Sequence, residues 1–226
     1  MLVNEITKKE ENELYRLNNL LSGTQTRRVI LNTVSELFAW AINHEIDVTM
    51  ATSKKVPNNY VGVNAFYDPE ADEDDDVAVE VVLVFNPANK SIEWDKNSTR
   101  HFVNELVDAV KHELLHAHQH RARDYVGGHK AYDKSNNTTE YMSNADEIDA
   151  FAMNIADELH RNSNDKEVFE LLRSAKTTAD LKNELGMLLS PNLKGYYMTF
   201  TKDSSVLKRV LKKVYARLIS KVHDKD

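Results

Sequence analysis

Residues 77–85 read Val-Ala-Val-Glu-Val-Val-Leu-Val-Phe, and Asn86-Pro87 closes the run. Branched side chains fit a pleated sheet and lose rotamer freedom in a helix, so this segment reads as a strand. It forbids an all-helical fold. Two weaker β-prone stretches precede it, the alternating Ile46–Met50 and Tyr60–Phe66. On either side of these the apolar period changes from two to that of a helix.

Leu14, Leu17, Leu20 and Leu21 stand at helical spacing in residues 4–21, and Thr26 is placed to cap a second helix over 27–43. After the strands, helices are expected over 99–122 and 144–160, with one or two more within 165–188 and a last one over 203–222. Gly127-Gly128 marks a loop, and Pro191 and Gly195 are expected to break the chain. Helices, then strands, then helices predict an α+β fold around one small antiparallel or mixed sheet. The expected organisation is an N-terminal helical arm (1–24), a core (25–162) and a C-terminal helical extension packed on it (163–226). The N-terminal leucine stripe could pack on its own core or mediate dimerisation.

Composition narrows the chemistry. The 226 residues include no cysteine. Disulfides, a thiol nucleophile, iron–sulfur clusters and thiolate zinc sites are therefore excluded, and any metal must be held by His, Asp or Glu. The net charge of −7 gives no general drive toward nucleic acid. A local contact remains open on the last helix, where Lys208, Arg209, Lys212, Lys213, Arg217 and Lys221 could meet nucleic acid or an acidic partner, or form a solvated face. No apolar run reaches the length of a membrane span and the N-terminus lacks a signal peptide, so no membrane association and a cytoplasmic site are expected. The acidic run Asp-Pro-Glu-Ala-Asp-Glu-Asp-Asp-Asp at 68–76 lacks the alternation and glycine of a calcium loop and reads as a solvated turn.

The densest chemistry lies in residues 112–120, which hold four histidines and one glutamate. His112 and His116 are four apart, so on a helix they share a face and both imidazoles can reach one ion. Glu113 between them completes His-Glu-x-x-His, in which the glutamate lies beside the metal without binding it and can carry a proton from water to a leaving amine. His120 is eight residues from His112, about 12 Å along a helix, too far to share that ion. His118 points away from the pair. Both are expected at the surface or in support of the ligands.

A catalytic zinc takes three protein ligands and keeps one position open. The downstream acids are Glu140, Asp146, Glu147 and Asp149. Glu147, in the first turn of the next helix, is the preferred third ligand. Asp146 suits helix capping beside Ser143 or Asn144, and Asp149 could orient a ligand imidazole. Donors for a developing oxyanion are Tyr132, Tyr141, Tyr196, Tyr197 and His129, among which the sequence does not choose.

His112–His116, followed by Glu-Ile-Asp-Ala-Phe-Ala at 147–152, resembles the paired motifs of the ImmA/IrrE-like zincin metallopeptidases and of small phage-encoded peptidase-like proteins. The resemblance covers about residues 27–160. It implies a zincin-like fold, with the sheet packed on the His-Glu-x-x-His helix and a second ligand-bearing helix. It implies Zn2+ held by His112, His116 and Glu147, with Glu113 as general base. A protein or peptide substrate would pair with an edge strand, expected within 77–85. The implied activity is that of a zinc metalloendopeptidase in a bacterium or phage-infected host. The alternative is the same fold used as a non-catalytic binding module, acting through protein or nucleic-acid contacts.

Overall fold

The computed structural model describes residues 8–42, 46–74, 77–126, 138–162, 190–201 and 204–223. The fold is α+β, and by internal packing it divides into two units, Met1–Ala131 and Tyr132–Asp226.

In the first unit α1 (Lys8–Leu14) and α2 (Leu17–Leu20) replace the single expected helix. Leu14, Leu17 and Leu21 are fully buried in the unit's own core, whereas Leu20 points outward, 49% exposed. The break turns the last leucine of the stripe inward and the one before it out. Gly23, at φ +83°, lets the chain turn sharply into β1 (Gly23–Thr26). The Thr26 hydroxyl then accepts from the Val29 amide and starts α3 (Arg27–Ala41), as expected.

The three expected strands form one sheet. They are β2 (Ile46–Thr52), β3 (Val61–Tyr67) and β4 (Val79–Phe85), in the order β2-β4-β3. β2 runs parallel to β4, with Ile46 opposite Val79, and β3 runs antiparallel to it, with Val61 opposite Phe85. The sheet is thus mixed. β4 takes the centre because Val79, Val81, Leu83, Val84 and Phe85 are all buried. Its one outward charge, Glu80, accepts a 2.7 Å hydrogen bond from the Thr49 hydroxyl of β2. A substrate peptide cannot pair with β4, contrary to expectation, since both its edges are filled; among the described residues the open edges belong to β2 and β3.

Two further features were not anticipated. β5 (Ser91–Trp94) pairs with β1 in a separate antiparallel ladder, too short and too polar to stand out in the sequence. The acidic run is not a solvated turn. Its Asp68 carboxylate caps a short helix, α4 (Pro69–Glu73), and Asp72 is buried. α5 (Lys96–Arg121) closes the unit. Its Phe102, Val103, Leu106, Val107, Val110, Leu114 and Ala117 join the core with the sheet and α3, and Trp94 stacks on Phe102 at 4.9 Å. Leu106→Ala leaves a cavity beneath the sheet, and an expected loss of about 2–5 kcal/mol is read from urea denaturation.

The second unit is helical among its described residues. It comprises α6 (Thr138–Ser143), α7 (Ala145–Asn162), α8 (Pro191–Thr199) and α9 (Ser205–His223). Ile148, Ala152, Ile155 and Leu159 of α7 pack with Leu193 and Tyr196 of α8 and with Leu207, Val210, Val214 and Leu218 of α9. Pro191 and Gly195 do not break this part. Pro191 occupies the first turn of α8, where its missing N–H costs nothing, and the Ser190 hydroxyl caps that turn by accepting from the Leu193 amide. Gly195 sits within the helix. The basic face of α9 is partly paired, Lys213 and Arg217 reaching Asp149 at 3.0 and 3.4 Å. Among the described residues, no helix is long and apolar enough to cross a membrane. The Gly127-Gly128 loop, His129, Tyr132 and the helices expected in 165–188 lie outside the described residues.

Candidate metal centre

α5 carries the His-Glu-x-x-His residues because two different faces of one long helix are satisfied at once. The Asp95 carboxylate starts it, accepting from the Asn97 and Ser98 amides at 2.9 and 2.7 Å and from the Ser98 hydroxyl. These bonds hold the Asp95 carboxyl below the usual carboxylate range. The apolar stripe from Phe102 to Ala117 then fixes how the helix lies on the sheet.

His112 and His116 lie off that stripe but are still buried, at 6% and 1% exposure. Their ring centroids are 4.8 Å apart and the rings meet edge to face at 75°. Two imidazoles this close and this dry are suited to share one cation. His116 Nδ1 faces Gln119 Oε1 at 3.0 Å. A carbonyl oxygen only accepts, so Nδ1 carries the proton and Nε2 is the nitrogen with the lone pair. Such a partner on the far side of the ring is what orients a ligating histidine. Glu113 lies between the two and is half-buried.

His118 is half-buried. His120, expected at the surface or supporting the ligands, is buried, with Nδ1 3.3 Å from the Tyr67 hydroxyl. Further up α5, Glu105 accepts from the Tyr60 hydroxyl at 2.5 Å and lies 3.5 Å from His101 Nε2. Burial, then the Glu105 carboxylate, pushes the Tyr60 phenol up from its ordinary value.

In the second unit Glu147 occupies the third position of α7 and is 1% exposed. Asn144 supplies the helix cap, its side-chain oxygen accepting from the Asp146 amide at 2.9 Å. A glutamate three residues past a cap commonly reaches back to the cap's own N–H. Here that N–H donates to the Tyr141 carbonyl at 3.1 Å. The carboxylate's charge bears on Tyr196, whose phenol is raised first by burial and then by Glu147. Asp149 pairs with the two cations of α9.

Of the oxyanion candidates, Tyr196 is committed, donating to the Met142 carbonyl at 3.0 Å. Tyr141 packs edge-on against Phe151. The Tyr197 hydroxyl is buried without a hydrogen-bond partner among the described residues, and burial pushes it up to about 12.

The fold and these side chains define an α+β chain with a buried imidazole pair on its longest described helix. Comparison with protein-family models, with curated proteins and with solved structures gives no match.

Proposed function

We propose that this chain is a single-zinc metallopeptidase of the zincin type that hydrolyses peptide bonds of a protein substrate. The observation that carries the proposal is the buried His112–His116 pair, 4.8 Å apart between ring centroids, with Glu113 between them on α5. Glu147 is the proposed third ligand. Two imidazole nitrogens and one carboxylate oxygen, all on buried residues, are a donor set that a divalent zinc ion accepts. A bound zinc would polarise the substrate carbonyl and acidify a water molecule.

The chain's own residues supply the rest. Gln119 holds His116 in the tautomer that offers Nε2. Glu113 takes a proton from the attacking water and passes it to the leaving nitrogen. The substrate strand would lie along β3, an open edge of the sheet. β3 is tied to α5 near both ends, by Tyr60, the residue just ahead of it, to Glu105 and by its own Tyr67 to His120, so it runs beside the row that bears His112 and His116.

The test is elemental analysis of the purified chain after zinc reconstitution. About one zinc per chain is expected in the wild type and in His120→Ala, and loss of it in His116→Ala and Glu147→Ala. A wild type that holds no zinc would sink the proposal.

A further inference from the structure

His120 stands four residues past His116, about 6 Å further along α5. It is 7% exposed. Tyr67 and Tyr125 meet its ring edge-on, with centroids 6.0 and 5.4 Å away. The Tyr67 hydroxyl has a single proton and donates it to Asp72 Oδ2 at 2.9 Å. Asp72 is fixed in turn by Arg121, whose Nε reaches both carboxylate oxygens at 3.0 and 2.9 Å. Burial and the Asp72 carboxylate both raise the Tyr67 phenol, so the proton stays on it.

With that proton committed, the phenol oxygen accepts from His120 Nδ1. His120 is therefore the Nδ1–H tautomer, and Nε2 carries the lone pair. Nε2 has no hydrogen-bond partner among the described residues. This chain of guanidinium, carboxylate, phenol and imidazole fixes the ring and its tautomer, as the aspartate of a catalytic triad fixes its imidazole.

We propose that His120 is a catalytic residue of the site on α5, carrying the second proton of peptide hydrolysis at Nε2, with Tyr67 and Asp72 as its positioning residues. This rests on the peptidase reading above. In hydrolysis the water oxygen bonds to the carbonyl carbon, the C–N bond breaks, and at neutral pH both water protons end on the amine. Glu113 carries the first to the leaving nitrogen. The second stays on the hydroxyl of the tetrahedral adduct. His120 Nε2 takes it as the C–N bond breaks, so the acid product forms as a carboxylate, and the imidazolium then passes the proton to the amine. Nδ1–H stays on the Tyr67 oxygen in both states, so neither protonation state leaves that nitrogen without its partner.

The experiment compares zinc-reconstituted wild type, Tyr67→Phe and His120→Gln. The readouts are zinc content, histidine tautomers by long-range 15N–1H correlation, and kcat and KM on one peptide recovered from a proteome-derived peptide library. Zinc is expected at about one per chain in all three. His120 is expected as Nδ1–H in the wild type, with that form lost in Tyr67→Phe. kcat is expected to fall roughly 10²-fold in His120→Gln and less in Tyr67→Phe, with KM unchanged. Should His120→Gln fail to fold, Tyr67→Phe, which keeps the ring, decides. With zinc intact, an Nε2–H tautomer in the wild type, or an unchanged kcat in the variant that folds, overturns the role of His120 and leaves the peptidase reading standing. A wild type without zinc, or one that cleaves no library peptide, overturns both.

Discussion

Glu113→Gln is expected to keep its zinc, its fold and its substrate affinity while losing cleavage by roughly 10²–10⁴-fold, the usual contribution of a positioned proton carrier. Glutamine matches glutamate in size and still accepts a hydrogen bond, but it cannot take a proton. Glu113 is half-buried and turns off the core stripe of α5, so the exchange removes no apolar packing. The measurement pairs elemental analysis with turnover on the same peptide. Loss of zinc in Glu113→Gln would make Glu113 a ligand and remove its assigned role. Full activity with zinc retained would place the general base elsewhere.

The second large effect is on stability. Arg121→Met is expected to cost about 3 kcal/mol, at the lower end for breaking a buried ion pair. Asp72 is the buried member, with its side chain 2% exposed, while that of Arg121 is 49% exposed and is solvated whether or not the pair forms. Removing the guanidinium leaves a buried carboxylate with the Tyr67 hydroxyl as its remaining side-chain donor among the bonds seen here. That strands the charge, and the melting temperature should drop by roughly 6–12 °C. Adding Asp72→Asn to Arg121→Met removes the stranded charge and should restore part of the loss. A shift within a degree or so for Arg121→Met would mean that the pair is as weak as an exposed one.

The secondary structure was legible where one local pattern decided it. The β-branched run gave β4, Thr26 gave the start of α3, and the spacing of Phe102, Leu106, Val110, Leu114 and Ala117 gave α5. His112, Glu113 and His116 were legible for the same reason, because a helix alone puts residues four apart on one face. A local pattern says less about what meets what. Asp72 read as one of several acids in a solvated run, since its distinction is Arg121, 49 residues away. His120 read as a side chain at the surface or in support of the ligands, without a partner of its own, since Tyr67 is 53 residues away. The expected substrate edge fell on β4, because hydrophobicity identifies a strand but not its place in the sheet. Pro191 misled because proline ends a helix from within but favours its first turn, and the deciding signal was Ser190 ahead of it.

By itself, then, the sequence determined the α+β class, the helix that carries two histidines and a glutamate on one side, and the exclusion of thiolate chemistry. These follow from the period of side chains along a helix or strand and from the absence of cysteine. Tertiary structure decided that β4 is central, that the leucines of α1 and α2 are core, and that a buried carboxylate and phenol fix the tautomer of His120. The physical reason is range. Periodicity acts over one turn or one pleat, whereas burial and tautomer are set by groups that only folding brings within hydrogen-bond distance.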